Sequence, residues 1–329
     1  MEVIRRFEGD ARARLPESVY EYYACGAGAE QTVAENLEAW RKVWLRPRGL
    51  VDVRGVDPSA TVLGDELSMP LVLAPMAEQG RLHPDGEVAV ARAAAAAGVA
   101  QCLATRSTRT MDEVAAAATG PLWFQLYVSP DRAEVAERLG RLKALGFRRV
   151  VVTIDLVVVG NRPRERAHLP PHSTGGWADW MTWEELAWVG EASGLPVVVK
   201  GVLTAEDARA AAEHGAEAVI VSNHGGRQVD GAVPTAVALR EVAAELAGEL
   251  PVLVDGGVRS GGDVVRALAL GADAVLVGRP YAWALAAAGE EGVGELLAAF
   301  DEDLRIALAL LGRTRPAEVD ASCARLAGW

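Results

Sequence analysis

Cysteine, lysine and aromatic residues are all scarce in this 329-residue chain. The three cysteines, Cys25, Cys102 and Cys323, are far apart and odd in number, and none falls in a Cys-x-x-Cys pair. That excludes a disulfide framework and a thiolate zinc site, so no metal is expected. A reducing cytoplasm is the compartment this usage suggests. Positive charge is also short: 33 basic residues stand against 45 acidic ones, for a net charge of −12. Nucleic-acid binding needs a basic face, so that partner class is excluded. No stretch approaches the roughly 18 apolar residues of a membrane span. The opening "MEVIRRFEGDARARLPESVY" lacks the apolar core of a signal peptide. Aromatics make up only 5% of the chain, yet half of it is hydrophobic, so alanine, valine and leucine must fill a large core. The lysine shortage is the most telling. Only Lys42, Lys143 and Lys200 occur, and Lys200 ends the apolar run "LPVVVK". In a chain that otherwise uses arginine, a lysine there asks for a chemical reason.

What is abundant is a repeat. From residue 70 onward, short apolar runs ending in polar residues alternate with alanine-rich helical stretches. The runs are "PLVLAP" (70–75), "VAQCLAT" (99–105), "PLWFQLYV" (121–128), "RVVVTIDL" (149–156), "LPVVVKGV" (195–202), "AEAVIVSN" (216–223), "LPVLVDGG" (250–257) and "ADAVLVGRP" (272–280). Continuous apolar runs suit strands covered on both faces, as in a parallel sheet. Helix signals lie between them, such as Thr204 before "AEDA" and Gly98, Gly146, Gly215 and Gly271 where helices end. Eight β-α units define a single-domain α/β protein, a (β/α)8 TIM barrel over 70–312. An open doubly wound sheet would place a glycine fingerprint after its first strand, and "LAPMAEQG" is not one. Residues 1–69 form a short N-terminal helical extension. In it, "SVYEYYACGAGAEQTVAENLEAW" reads as two helices around a Gly-rich turn, and "GLVDVRGVDPSATVLGDELSMP" reads as a hairpin closing the barrel floor. Residues 157–181 read as one long irregular lid loop after the fourth strand.

Barrel enzymes carry their chemistry at the C-terminal strand ends. Those ends supply Gln125 and Tyr127, then Thr153 and Asp155 with Arg162 beyond, then Lys200. They continue with Ser222, His224 and Arg227, then Asp255, Gly256, Gly257 and Arg259, and finally Gly278 and Arg279. A histidine between a strand end and a Gly-Gly turn is placed for function, whereas His214, inside a helical stretch, reads as surface. The turns after strands seven and eight are the usual phosphate site of such barrels, and Arg259 and Arg279 add bidentate donors. Arg162 and Arg227, close to one histidine, suggest a carboxylate clamp.

With these residues in view, "SNHGGRQVDG", "DGGVRSGGDVVRALALGADAVLVGRP", "VKGVLTAEDA", "FQLYV" and "YEYYACGAGAE" resemble the FMN-dependent L-2-hydroxy-acid oxidase/dehydrogenase family over nearly the whole chain. The resemblance implies FMN as cofactor and oxidation of an (S)-2-hydroxy acid to the 2-oxo acid. The flavin would be reoxidised by oxygen or another electron acceptor. It also implies a homo-oligomer, a tetramer or octamer. His224 would be the base, by a hydride or a carbanion route, with Asp155 raising its pKa. Arg227 and Arg162 would clamp the carboxylate, with Tyr22 hydrogen-bonding it and Tyr127 beside the hydroxyl. Lys200 would stabilise the reduced flavin near N1. Gln125, Thr153 and Ser222 would bond the ring, and Pro75, Met76 and Ala77 would pack on its face. Asp255 would hold the ribityl chain, and Gly256, Gly257, Arg259, Gly278 and Arg279 the phosphate. Alanine at 77 leans toward an oxidase. Other FMN barrels lack the His-Gly-Gly-Arg clamp, and a non-catalytic flavin binder would be expected to have lost some of these residues. Two departures bear on substrate. Ala104 and Thr105 replace a pair of serines, and Arg106 replaces an aromatic residue. Arg106 either lines the pocket and favours a polar or anionic tail, or turns out to solvent. Glu78 also stands where an apolar residue is common. Tryptophans in "WADWMTWEELAW" either pack on substrate or anchor the loop.

Overall fold

Each of the eight apolar runs becomes a parallel strand in the computed structural model, which describes residues 2–168 and 179–326. The strands are β1 (Leu71–Leu73), β2 (Ala100–Leu103), β3 (Leu122–Leu126), β4 (Phe147–Thr153), β5 (Val197–Val202), β6 (Ala218–Val221), β7 (Val252–Val254) and β8 (Ala274–Val277). They pair in sequence order, and β8 closes on β1 through Val275 with Leu71 and Val277 with Leu73. The fold is a closed (β/α)8 TIM barrel.

Strand alternation explains why the runs are apolar throughout. Val72, Ala100, Cys102, Trp123, Val151, Val198, Ala218, Ile220, Leu253, Ala274 and Leu276 form one buried cluster inside the barrel. Their neighbours Leu71, Leu73, Phe124, Val150, Val152, Val199, Val219, Val254 and Val275 pack with the helices outside. The interior set is small apart from Trp123, so Ala100, Cys102, Ala218 and Ala274 leave room for the indole. Helices between strands begin at designed caps: the hydroxyls of Thr204 and Ser260 accept from the backbone N–H groups of Asp207 (3.1 Å) and Asp263 (3.0 Å).

The extension forms helices α1 (Glu2–Arg14), α2 (Glu17–Ala24) and α3 (Gln31–Arg41). The turn between α2 and α3 contains Gly26 and Gly28, and α1 buries Ile4, Phe7 and Ala11. An antiparallel hairpin, Ala60–Val62 with Asp65–Leu67, puts Val62 and Leu67 into the interior cluster. It plugs the barrel floor. Polar groups lock it there: Trp123 Nε1 donates to Asp65 Oδ2 at 2.9 Å, and Arg149 donates to Asp65 (3.1 Å) and to the Leu63 carbonyl (2.6 Å). The Arg149 guanidinium also lies 4.9 Å from the Trp123 ring centre and pairs with Glu217.

The lid expectation needs correction. Residues 163–168 are a helix (Pro163–His168) and not irregular chain. Proline at its first position and the salt-bridging series Arg162, Arg164, Glu165 favour that helix over a coil. Residues 169–178 of the expected lid, Trp177 among them, lie outside the described residues. Trp180 and Trp188 each pack on Arg132, at 5.3 and 4.2 Å, so they anchor the segment.

Asp65→Ala would leave a buried guanidinium with its charge only partly compensated. A loss of about 3 kcal/mol is expected, read as a shifted urea midpoint, with Asp65→Asn losing less because the Trp123 bond survives. An unchanged midpoint for Asp65→Ala would show that the floor does not depend on this carboxylate.

Candidate active site

The C-terminal strand ends surround a cavity of about 380 Å³, within the range of small-molecule sites. Its wall includes Tyr22, Pro75, Met76, Ala77, Arg106, Gln125, Tyr127, Thr153, Arg162, Lys200, His224, Arg227, Asp255, Gly256, Gly257, Arg259, Gly278 and Arg279. Of the residues expected at the site, only Asp155 and Ser222 stand behind that wall. Each reaches it through a neighbour. Asp155 Oδ1 lies 2.8 Å from His224 Nδ1. Ser222 Oγ accepts from Lys200 Nζ at 2.8 Å and from the His224 backbone N–H at 3.1 Å.

The chain leaving β6 explains the sequence "HGGR". His224, Gly225 and Gly226 all have left-handed φ, at 57°, 65° and 76°. A Cβ on Gly226 would lie 2.8 Å from Val33 Cγ2 and 2.9 Å from its backbone nitrogen, so α3 closes that position to any side chain. Histidine itself is held in a conformation that costs a β-carbon-bearing residue about 1–2 kcal/mol. The tight reversal brings the imidazole and Arg227 back over the barrel mouth.

Burial lowers the His224 pKa, Asp155 opposes it, and Lys200 and Arg162 reinforce it, so the ring sits below its ordinary value. Asp155 pulls the pKa upward as expected, but desolvation and two cations outweigh it. Asp155 itself is held below the ordinary carboxylate value, because His224 and Lys200 overcome its burial. Burial works to lower Lys200, yet Asp255, Asp155 and Tyr127 prevail and keep its ammonium charged. Its Nζ lies 3.1 Å from Asp255 Oδ2. Tyr127 is pushed up to about 12, chiefly by burial, and is a neutral phenol at physiological pH.

Sequence reasoning missed the carboxylate that joins Arg162 and Arg227. Glu165, buried on the helix Pro163–His168, accepts from Arg162 at 3.3 Å and Arg227 at 3.2 Å through the same Oε2. The signal lay in "NRPRERAH", where one acid sits three residues after Arg162 among three arginines. Gln228 was also missed. Its Oε1 accepts from Arg162 (3.0 Å), and its Nε2 donates to the Asp155 carbonyl (2.6 Å). Thr105 ties strand tops: its hydroxyl donates to the Gln125 carbonyl (2.6 Å) and accepts from Tyr127 N–H (3.0 Å). Gln125 in turn donates to Thr153 Oγ1 at 3.0 Å. Tyr23 also lines the cavity and donates to the carbonyls of Ala77 (2.7 Å) and Glu78 (2.8 Å). Arg106 lines the cavity and pairs with Glu78, while 35% of its side chain stays open to solvent.

The far end fits a phosphorylated cofactor. Desolvation lowers Arg259, and desolvation together with Arg227 and Arg259 lowers Arg279 to about 9, so several cations crowd this end of the cavity. Arg279 donates to the carbonyls of Tyr23 (3.0 Å), Gly225 (2.9 Å) and Cys25 (3.0 Å), which anchors its charge at the rim. Gly257, at φ 86°, leaves backbone exposed there, and a Cβ on it would collide with the Asn36 carbonyl. Among the described residues, Asp255 Oδ1 is buried with no hydrogen-bond partner, an acceptor positioned for a hydroxyl.

One cavity at the mouth of a TIM barrel that gathers a His–Asp pair, a lysine and several arginines fits a flavin-dependent oxidoreductase. Residues 11–326 match the family described as FMN-dependent dehydrogenase. Glycolate oxidase 1 of Zea mays is 42% identical over 344 residues, covering 96% of this chain and 93% of that one. L-lactate oxidase of Nostoc sp. is 39% identical, covering 96% of both. A crystal structure of mandelate oxidase with (S)-4-hydroxymandelic acid superposes with a TM-score of 0.91 at 38% identity, covering 98% of both chains. The chain therefore belongs to the FMN-dependent dehydrogenase family. It is an FMN enzyme that oxidises 2-hydroxy acids. Among the described residues, no helix is long and apolar enough to cross a membrane.

Gly257→Ala adds a methyl against the Asn36 carbonyl and forces φ 86° on a β-carbon. It is expected to lose most of its flavin on purification, read from the ratio of flavin to protein absorbance. Full flavin content would remove this turn from the phosphate site.

Proposed function

We propose that His224 is the base that takes a substrate proton, and that Arg162 and Arg227 hold the carboxylate of an (S)-2-hydroxy acid beside it. The observation that carries this reading is a half-buried imidazole whose Nδ1 faces Asp155 at 2.8 Å and whose pKa is lowered chiefly by desolvation, on the same wall as two arginines bound through one shared carboxylate oxygen. With Nδ1–H donated to Asp155, Nε2 keeps its lone pair free to accept a proton. Asp155 then stabilises the imidazolium. Converting C–OH to C=O removes two protons and two electrons. FMN, when bound, supplies the acceptor for that electron pair. Tyr127, a neutral phenol, donates to the substrate oxygen, and Tyr22 assists the carboxylate. Lys200 keeps a fixed positive charge where negative charge develops on reduction. Gln125 and Thr153 would hold the flavin ring, with Ser222 acting behind them through Lys200, and Pro75 to Ala77 would pack against it. Asp255 would take a hydroxyl of the ribityl chain, and Gly256, Gly257, Arg259, Gly278 and Arg279 would hold the phosphate. Oxidase names among the relatives support dioxygen as the reoxidant.

Exposed Leu50, Val51, Ile306 and Leu310 support association into a homo-oligomer. Three unpaired buried cysteines support a cytoplasmic setting.

Anaerobic mixing of the holoenzyme with L-2-hydroxy acids tests the reading through bleaching of the flavin. His224→Ala should retain flavin and lose about 10²–10⁴-fold in its reduction rate; fast reduction would remove His224 as base. Arg227→Lys replaces a planar fork with a point charge and should cost about 10²-fold in kcat/KM. Near-normal kcat/KM would take Arg227 out of the clamp.

The sign of the pH dependence follows from the lowered pKa. His224 must be neutral to accept a proton, so kcat/KM is full above that pKa and falls as pH drops through it. The acid limb is expected below the usual histidine value of about 6.5. Asp155→Asn removes the one partner that raises the pKa and should move the limb lower still. An acid limb above 7 in the wild type would contradict the assignment.

A further inference from the structure

Two arginine–carboxylate clusters flank Tyr22 at the cavity mouth. In one, Arg162 and Arg227 share Glu165. In the other, Glu78 binds Arg106 through Oε1 and Arg81 through Oε2, the latter at 2.9 Å. Each cluster has two guanidiniums and one carboxylate, so each carries one net positive charge. Tyr22 separates them, with Arg227 5.4 Å and Arg81 5.0 Å from its ring centre. The second cluster is built into the backbone. Glu78 has φ 58°, its N–H donates to the Arg106 carbonyl at 2.8 Å, and its carbonyl accepts from Tyr23. The loops after β1 and β2 are thereby tied together, and Arg106 faces the cavity.

A monocarboxylic hydroxy acid uses only the first cluster. Its alkyl or aryl tail would press on guanidinium groups and desolvate them with nothing in return. A second carboxylate would meet a planar fork that binds such groups in pairs of hydrogen bonds.

We propose that Arg106, oriented by Glu78 and reinforced by the charge of Arg81, forms a second anion subsite, and that the preferred substrate is a 2-hydroxy dicarboxylic acid. This rests on the reading of the cavity as a hydroxy-acid oxidase site. The α-carboxylate lies on Arg162 and Arg227, and the distal carboxylate on Arg106. Glu78 limits the subsite to a single net charge.

The test compares pairs of substrates with equal carbon number on the holoenzyme: (S)-malate against (S)-2-hydroxybutyrate, and (S)-2-hydroxyglutarate against (S)-2-hydroxyvalerate. In at least one pair the dicarboxylic acid is expected to lead in kcat/KM by about tenfold or more, and added salt should shrink that ratio. Arg106→Leu and Arg106→Gln should each lower the ratio at least about tenfold. Glu78→Gln, by removing a negative charge, should raise it. A ratio at or below one in both pairs, or one that Arg106→Gln and Glu78→Gln leave unmoved, overturns the second subsite while the hydroxy-acid reading stands. Flavin that no acid in the set bleaches, with L-lactate and (S)-mandelate included, overturns that reading and the subsite with it.

Discussion

Asp155 and His224 stand at the tops of β4 and β6 and meet over the strand between them, which carries Lys200. The 2.8 Å contact is what fixes the imidazole's orientation and its proton. Lys200 reaches both sides of the same network, touching Ser222 Oγ at 2.8 Å and Asp255 at 3.1 Å. A cation so close makes protonation of His224 unfavourable, while the carboxylate makes one particular tautomer favourable. The result is an imidazole biased toward its neutral form, with a carboxylate beside it, as the proposed role of base requires.

The rim is cationic in an acidic protein. Lys200, Arg106, Arg162, Arg227, Arg259 and Arg279 face the cavity, against the carboxylates of Asp155, Asp255, Glu165 and Glu78 on or just behind its wall. The chain as a whole carries −12. Anions are therefore drawn to this one face and repelled by most of the rest. The excess positive charge is distributed along the cavity, at the end lined by Arg259 and Arg279 and at the mouth. The N-terminal extension takes part in this directly. Carbonyls of Tyr22, Tyr23 and Cys25 at the end of α2 hold Arg227 and Arg279, and Arg164 ties Glu21 and Glu30 to the segment after β4. Without that cover the arginines would lack the contacts that orient them.

The barrel was legible because both faces of every strand are buried, which writes each strand as an unbroken apolar run. The polar residues ending those runs were legible for the complementary reason: a core strand ends in Lys200 or His224 only where something is to be bound. Glu165 and Gln228 were not legible, because their roles depend on a helix after β4 folding back against the turn after β6. Nothing local in "NRPRERAH" says which arginine the acid will meet. The direction of the His224 shift was hidden likewise. The sequence identifies Asp155 as a partner, but desolvation and the proximity of Lys200 and Arg162 are properties of packing. Arg106 could be placed in or out of the cavity only once Glu78 was seen to hold it.

Nitrogen NMR of the His224 ring in the oxidised holoenzyme at pH 7 tests the central claim most directly. The account requires a neutral imidazole with its proton on Nδ1, facing Asp155, and a bare Nε2. A ring protonated on both nitrogens at that pH, or one carrying its single proton on Nε2, would contradict it.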